Sequence, residues 1–174
     1  MPTNKGITVA REEDPDLKQA IVRAVLADLP EWFGLPDATN TYVEEAAKLS
    51  LWVACYEGQA IGFIDYRQTS KASGEISCMG IKKHFHHQGI GHQLVEALEA
   101  DARQHAHYLQ VKTVDEGHYP EYDQTIRFYE SVGFERLEVF SDIMGCLESL
   151  FGVGQEALIS GQIAQNKINK NRHA

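Results

Sequence analysis

The sequence HHQGIG at residues 86–91 has the composition of a turn that holds a phosphate group. Gly89 and Gly91 have no Cβ, so the backbone there could approach a ligand closely. A predicted strand ends near Ile81, and a predicted helix begins near Gly91. Because the first turn of a helix has unpaired N–H groups and the positive end of the helix dipole, it favours an anion. The spacing therefore predicts that a phosphorylated ligand binds at this turn.

Two other phosphate-binding motifs are excluded at this position. The dinucleotide-binding fingerprint G-x-G-x-x-G requires a third glycine where this chain has Leu94. The P-loop requires a glycine followed by lysine and then serine or threonine, and no such sequence follows Gly89. Because both motifs are absent, ligands that are bound through a dinucleotide-binding fingerprint or a P-loop are not expected at this turn.

A second segment, YDQTIRFYESVGF at residues 122–134, forms a pattern together with the first. The strand, HHQGIG and helix resemble the R/Q-x-x-G-x-G/A signature with which the GNAT superfamily of N-acetyltransferases binds acetyl-CoA; His86 replaces the arginine or glutamine. Residues 122–134 resemble the superfamily's N-x-x-A-x-x-(F/L)-Y-x-x-x-G-F segment, from which Tyr122 and Thr125 depart. The resemblance covers roughly residues 7–140. A helix and a strand separate the two motifs, as the superfamily requires.

The resemblance implies an α/β (α+β) fold of GNAT type, with a mixed, mostly antiparallel central sheet flanked by helices. It implies an enzyme that transfers the acetyl group of acetyl-CoA, its co-substrate, to a primary amine by direct attack in a ternary complex. The backbone amides of Met79 and Ile81 resemble the superfamily positions that hydrogen-bond pantetheine. The residues expected to contact acetyl-CoA are Met79, Gly80, Ile81, His86, His87, Gln88, Gly89, Ile90, Gly91, His92 and Tyr122.

Such a transfer needs a base, because an amine at neutral pH is mostly protonated, and an acid for the departing thiolate. Glu75 matches the position of the catalytic glutamate in histone-type members, and a charged strand end or a structural ion pair is the alternative. Tyr129 matches the superfamily tyrosine that faces the thioester sulfur, and a phenol can return a proton. Packing in the core is the alternative for Tyr129. Asp65 and Asp115 are further candidates for the base, directly or through a water chain.

A metal site is the main alternative for the histidine-rich segment. Four histidines fall within nine residues, at positions 84, 86, 87 and 92. No cysteine or carboxylate joins them locally, and part of the run is the predicted phosphate turn, so no metal is expected. Lys82 and Lys83 are expected either to add positive potential near the CoA phosphates or simply to be solvated.

The acceptor is expected to be a small cationic amine, since aromatic rings with carboxylates suit a cation. The residues expected to contact it are Trp32, Phe33, Tyr42, Asp65, Asp115 and Tyr119. Core packing explains Trp32 and Phe33 equally well. Two alternatives are open: a protein N-terminus or lysine as the acceptor, and a non-catalytic module that binds acyl-CoA for regulation. Tyr129 favours an enzyme, because a pure binder has no need of a proton donor there.

The elements that must position these residues follow the order β-α-α-β-β-β-α-β-α-β. Asp14-Pro15 predicts the start of a helix that stops near Pro30. Thr41 and Glu44 predict a capping box that opens a second helix. Gly58-Gln59 predicts a tight hairpin turn, and residues 75–81 predict one continuous strand.

The sequence patterns that predict helices and strands are less regular in the second half of the chain. Asp123 is expected to cap a helix that ends at Val132, and Gly133 is expected to terminate it in the left-handed conformation. A strand follows near residues 137–140. A last strand is either short, near residues 146–151, or its place is taken by a partner chain, and we therefore expect a homodimer.

The composition of the chain limits the classes of function that it can have. The chain has 174 residues, 25 acidic and 16 basic, and a formal net charge of -9. This charge disfavours nucleic-acid or membrane partners and would attract cations. With no targeting or membrane segment and three cysteines read as free thiols, a cytoplasmic location is expected. We predict one GNAT domain at residues 1–154 and a polar tail at residues 155–174.

Overall fold

The computed structural model describes residues 6–141 and 147–154 of the chain. These contain eight strands, β1 (Ile7–Glu12), β2 (Ser50–Tyr56), β3 (Gln59–Gln68), β4 (Ser73–Ile76), β5 (Met79–Ile81), β6 (Tyr108–Val114), β7 (Glu135–Ser141) and β8 (Leu147–Gly154). They also contain four helices, α1 (Pro15–Ala27), α2 (Pro36–Ala46), α3 (Ile90–Ala102) and α4 (Pro120–Ser131). The chain forms two compact units, the first from residues up to 67 with 75–102 and the second from the remainder.

The first unit is built on antiparallel strands with helices on both faces. Strand β2 pairs with β1 and β3, and β3 pairs with β5. Because side chains alternate along a strand, Leu51 and Val53 join the apolar cluster with α1 and α2, and Trp52 points to the other face. Helix α3 contacts β1 and β2 and contributes no residue to that cluster, so it covers the other face. The predicted class, mostly antiparallel strands flanked by helices, is confirmed.

The starts of α1 and α2 depend on proline. The Asp14 carboxylate accepts hydrogen bonds from the amides of Asp16 and Leu17, so the predicted N-cap of α1 is confirmed. The predicted capping box of α2 is wrong: the helix begins five residues earlier, at Pro36. Proline is preorganised for the first helical position and lacks only an N–H that would be unpaired there. The Thr41 hydroxyl instead donates within the helix to the Asp37 carbonyl.

Two strand predictions in the first unit need correction. The hairpin turn lies at Glu57-Gly58, one residue earlier than predicted, because both residues have positive φ, 49° and 77°. Residues 75–81 form two short strands instead of one. Strand β4 ends at Ile76 and β5 begins at Met79. The side chain of Asp65 on β3 accepts hydrogen bonds from the intervening residues, Ser77 and Cys78.

The second unit contains the antiparallel strands β6, β8 and β7, with β8 between the other two. The strand expected near residues 146–151 is therefore present as β8, and a partner chain is not needed to explain its weak pattern. Helix α4 contacts β6. Its start is another correction: α4 begins at Pro120, and the Asp123 carboxylate accepts a hydrogen bond from the Gly117 amide instead of capping the helix.

The end of α4 follows the sequence prediction. Gly133 has a φ of 96°, the left-handed conformation that only glycine adopts readily. Its amide donates to the Glu130 carbonyl, and the Phe134 amide donates to the Tyr129 carbonyl. Phe134 is buried, so this hydrogen-bonded turn fixes the C-terminal end of the helix that carries Tyr129.

Several predictions fall outside the described residues or are only partly covered by them. Cys55 and Cys78 are free thiols, whereas Cys146 and the predicted tail lie outside the described ranges. The boundary between a domain and a tail at residue 154 therefore stays a prediction. Within the described ranges, none of the helices is both long and apolar enough to span a bilayer.

Candidate active site

The glycine turn leads directly into α3. Gly89 has a φ of 75°, and α3 begins at the next residue, Ile90. The first turn of α3 contains no acidic residue, so nothing there opposes the positive end of the helix dipole. A Cβ added to Gly89 would meet no atom within 4 Å, so the surface above the turn is open. An open helix start with a glycine approach fits a phosphate group of CoA.

Hydrogen bonds within the turn hold its shape. The His86 Nε2 atom lies 2.6 Å from the Ile81 carbonyl oxygen, and its ring meets Trp32 edge-on with centroids 5.9 Å apart. The Gln88 side-chain amide donates to the His84 carbonyl, whereas the buried Gln88 Oε1 has no partner among the described residues. One imidazole nitrogen of His86 is thus engaged with the backbone. A contact between His86 and a phosphate stays a prediction.

The two lysines before the turn differ in what the structure shows of them. The Lys82 amide donates to the Ile61 carbonyl and continues the pairing of β5 with β3. The Lys83 amide donates to the Asp28 carboxylate, and its ammonium group pairs with Glu31. The hydrogen bond from Lys83 lowers the pKa of Glu31. The positive charge of Lys83 is therefore shared with a carboxylate of the segment that follows α1.

Strand β5 presents two backbone amides away from its neighbour. In the described part of the chain β5 pairs only with β3. The Asp65 amide donates to the Cys78 carbonyl, and the Lys82 amide donates to the Ile61 carbonyl. Because the direction of the N–H groups alternates along a strand, the amides of Met79 and Ile81 must point away from β3. These are the two amides that the sequence predicted to hydrogen-bond pantetheine, and a strand edge of this kind suits an extended amide-containing ligand.

Asp65 is placed differently from a substrate-binding residue. Only 2% of its surface is exposed, and its Oδ1 accepts three hydrogen bonds, from the Ser77 amide at 2.8 Å, the Ser77 hydroxyl at 2.9 Å and the Cys78 amide at 2.9 Å. Burial raises the pKa of Asp65 to about 7, against the lowering effect of these bonds and of the Arg67 charge. Sequence reasoning missed Ser77, whose only signal was a polar residue inside a predicted strand.

Glu75 lies on β4, just before the break, and is partly exposed. Two of the three residues that separate it from β5, Ser77 and Cys78, form the break. The outward amides are carried by β5. The break therefore lies between the predicted base and the predicted pantetheine site.

The aromatic residues predicted to contact the acceptor in the first unit lie after α1, at Trp32 and Phe33, and on α2, at Tyr42. Trp32, Phe33 and Tyr42 are partly buried and pack against the apolar cluster. The rings of Phe33 and Tyr42 meet edge-on at 5.9 Å, and Trp32 contacts His86 of the glycine turn. Both the functional and the core-packing interpretation of Trp32 and Phe33 are compatible with this placement.

The second unit carries the other predicted site residues. Tyr129 is buried, with its ring 5.3 Å from that of Phe128 and 5.5 Å from that of Phe134. The rings of Tyr119 and Tyr122 lie 6.0 Å apart. Burial is the main cause that raises the pKa of Tyr122, followed by Tyr119 and the Glu121 carboxylate.

Asp115, a candidate base in the sequence, forms an ion pair in the second unit. Its Oδ1 atom lies 3.3 Å from a guanidinium nitrogen of Arg136, which also pairs with Glu116 at 3.1 Å. The guanidinium group of Arg136 further lies over the ring of Phe151, 5.6 Å from its centroid. A carboxylate held in this ion pair can stabilise the fold of the second unit. A role of Asp115 toward a substrate stays a prediction.

The four histidines do not gather into a metal site in the part of the chain that the structure describes. No group of three or more His, Cys, Asp or Glu side chains there is arranged to hold a metal ion. His84 packs edge-on against Phe85, and His86 is engaged as described above.

The comparison with family models decides the family. Residues 47–136 match the model of the acetyltransferase (GNAT) domain. The chain belongs to the GNAT family. The resemblance found in the two motifs is thereby confirmed, and this GNAT chain is an acetyl-CoA-dependent acetyltransferase. No curated protein matches it.

Solved structures share the fold of this GNAT enzyme at low sequence identity. A GNAT-family protein from Desulfovibrio desulfuricans is 18% identical, with a TM-score of 0.75 over 86% of this chain and 99% of its own. An aminoglycoside 6'-N-acetyltransferase complexed with coenzyme A is 18% identical, with a TM-score of 0.66 over 84% and 96%. The ribosomal-protein-S18-alanine N-acetyltransferase from Escherichia coli is 14% identical, with a TM-score of 0.66 over 85% and 93%. Other matching structures have acetyl-CoA bound.

Proposed function

We propose that this GNAT enzyme acetylates a primary amine of a small cationic molecule, by direct attack of the amine on acetyl-CoA in a ternary complex. The observation that carries the choice of acceptor is the net charge of -9, which attracts cations to the protein surface. The paired rings of Tyr119 and Tyr122, with Glu121 close enough to raise the Tyr122 pKa, add a local environment that suits an ammonium group. The similar aminoglycoside enzyme supports the same class of acceptor.

The proposed chemistry assigns a residue or a backbone group to each reacting group. Acetyl-CoA supplies the acetyl group as a thioester. The start of α3 at Ile90 receives phosphate, and the outward amides of Met79 and Ile81 donate to pantetheine. One of these amides can also polarise the thioester carbonyl.

Two side chains then move protons. Glu75 accepts a proton from the attacking ammonium group, so that the nitrogen lone pair can form the new C–N bond. As the C–S bond breaks, Tyr129 donates its phenolic proton to the departing thiolate. Formation of the amide removes two protons from the ammonium nitrogen. One passes to Glu75 and is released to solvent, and the other restores the phenol of Tyr129, so each turnover releases one net proton.

A panel of acceptors tests the proposed substrate class. Turnover of acetyl-CoA would be followed with a thiol-detecting reagent against polyamines, aminoglycosides, amino-acid amines, and peptides with a free N-terminus or lysine. We expect a small amine with two or more positive charges to give the highest kcat/KM. Each amine is paired with its N-acetylated form, which cannot react, and with an analogue whose second amine is replaced by a hydroxyl. Turnover with the peptides alone, or equal turnover with the hydroxyl analogues, would refute the cationic small-molecule acceptor.

Glu75→Gln is expected to lower kcat by about 100-fold or more with every accepted amine, in the range typical of a lost general base. Glu138→Gln, which neutralises an exposed glutamate on β7, is the control and should leave kcat unchanged. A Glu75→Gln enzyme with the kcat of the wild type would exclude Glu75 as the base.

A homodimer and a cytoplasmic location stay predictions. The presence of β8 removes the need for a partner chain at that place in the second unit, so the expectation of a dimer now rests on no described residue.

A further inference from the structure

The break between β4 and β5 is organised around one carboxylate oxygen. Asp65 Oδ1 accepts hydrogen bonds from two successive backbone amides, those of Ser77 and Cys78, and from the Ser77 hydroxyl. The amide of Asp65 in turn donates to the Cys78 carbonyl at 3.1 Å. Asp65 therefore binds the break with both its backbone and its side chain.

This arrangement cannot occur in a regular strand. Successive N–H groups of a strand point in opposite directions, yet those of Ser77 and Cys78 reach the same oxygen. The chain must therefore bulge at these two residues, as strands do where two residues oppose one on the neighbour. The Asp65 carboxylate thereby receives the Cys78 amide, which a regular ladder would pair with the backbone carbonyl of Asp65.

The bulge sets which amides of β5 point outward. Because the direction of N–H groups alternates with a period of two, a shift by one residue would turn the amides of Met79 and Ile81 toward β3 and expose that of Gly80 instead. With the alternation as observed, Gly80 faces the end of α1. A Cβ added to Gly80 would lie 3.1 Å from the side chain of Val25 in α1 and 3.1 Å from that of Leu29 just after it. The same bulge separates the outward amides from Glu75 on β4.

We propose that Asp65 is a positioning residue for acetyl-CoA: its buried carboxylate holds the Ser77–Cys78 bulge and so keeps the Met79 and Ile81 amides directed at the pantetheine chain. Asp65 contacts neither substrate in this role, since it is buried and its Oδ1 is bound to the bulge. The role depends on the family's use of acetyl-CoA and not on the identity of the acceptor. It differs from the role of a base that the sequence alone allowed for Asp65.

The test measures two quantities in four variants: amide hydrogen exchange of the protein without ligand, and the affinity for CoA. Asp65→Ala removes all three side-chain bonds, Asp65→Asn keeps an acceptor oxygen, and Ser77→Ala removes only the hydroxyl bond. Lys18→Met is the matched control, because Lys18 is also buried and donates a single bond to the backbone carbonyl of Leu49, away from the bulge. Amide exchange is measured by mass spectrometry on peptides that cover residues 75–82, and the Kd of CoA is measured by calorimetry without any amine.

Asp65→Ala is expected to speed exchange in residues 75–82 by about tenfold more than elsewhere and to raise the Kd of CoA about tenfold, the effect of losing a hydrogen bond to a charged group. Asp65→Asn should increase the exchange rate and the Kd of CoA less than Asp65→Ala does. Ser77→Ala should speed exchange in the same segment by a smaller factor. Lys18→Met should change exchange without selecting this segment and should leave the Kd within about twofold.

Either of two results would overturn the role. One is an Asp65→Ala protein that is folded and binds CoA with wild-type affinity. The other is faster exchange spread evenly over the first unit, which a merely structural carboxylate would cause. If Asp65→Ala does not fold, Ser77→Ala decides by the same criterion of segment-selective exchange. Since no amine is present, a failed acceptor panel has no bearing on the outcome.

Discussion

Replacing Tyr129 with phenylalanine should lower kcat by about 100-fold or more, the range for loss of a general acid, while the Kd of acetyl-CoA changes by less than about twofold. The thiolate of CoA is the leaving group of the transfer, and a phenol with an ordinary pKa near 10 is suited to protonate it. Phenylalanine retains the ring and removes the hydroxyl group that carries this proton.

The packing of Tyr129 makes the substitution informative. Only 5% of its surface is exposed, and its ring packs against those of Phe128 and Phe134. A phenylalanine ring would keep these contacts, and the backbone bond from the Phe134 amide to the carbonyl of residue 129 involves no side chain. The melting temperature, measured in parallel, shows whether a loss of turnover comes from unfolding.

Tyr66→Phe is the matched control for this experiment. Tyr66 is as buried as Tyr129 but lies on β3 of the first unit, beyond the bulge partner Asp65. Burial raises the pKa of Tyr66, and Asp101 raises it further. We expect Tyr66→Phe to retain kcat. Single-turnover kinetics would separate the chemical step from product release, and a chemical step unchanged in Tyr129→Phe would remove Tyr129 from the mechanism.

The free energy of unfolding should decrease as the pH rises from about 4 to about 7, because of Asp65. Asp65→Asn should remove this part of the pH dependence. Burial raises the pKa of Asp65 to about 7 in the folded protein, above its ordinary value of 3.8. Between these two values the folded state holds a proton that the unfolded state has released. The contribution of Asp65 to stability is therefore full below pH 4 and is lost as the pH rises through 7.

The expected size of this effect is on the order of 4 kcal/mol over the whole interval, since each pH unit between the two pKa values contributes roughly 1.4 kcal/mol. Burial alone raises the pKa of Asp65, whereas the bonds from Ser77 and Cys78 and the charge of Arg67 lower it. Arg67 also pairs with Glu45, so its charge is partly shared.

Denaturant unfolding of wild type and Asp65→Asn from pH 4 to pH 8 measures the difference directly. All other titrating groups are common to the two proteins, so their contributions cancel in the difference. The wild-type curve should be the steeper one, with stability decreasing toward neutral pH. Parallel curves would mean that the pKa of Asp65 is not raised in the folded state.

Local features of the sequence accounted for the parts of the fold that depend on neighbouring residues. Asp14 and Pro15 predict the start of α1, because capping involves amides only two or three residues away. Gly133 predicts the end of α4 for the same reason. Where two local signals competed, the prediction failed: Pro36 begins α2 ahead of the capping box at Thr41, and Pro120 begins α4 ahead of Asp123.

The glycine turn is also a local feature, and together with the segment around Tyr129 it indicates the family from the sequence alone. Gly89 must have positive φ and α3 must begin beside it, and both follow from residues adjacent in the chain. The sequence by itself therefore determined the family and the use of acetyl-CoA, and it predicts the place where the phosphates bind.

Only the tertiary structure decided how the strand before that turn is divided. Asp65 and Ser77 are twelve residues apart, and they meet because β3 folds back beside β5. A hydrogen bond between a side chain and a distant backbone leaves no periodic pattern in the sequence, so residues 75–81 were predicted as one strand and Asp65 as a substrate residue. The physical reason is that the direction of the β5 amides depends on long-range pairing, whereas the glycine turn depends on neighbours in the chain.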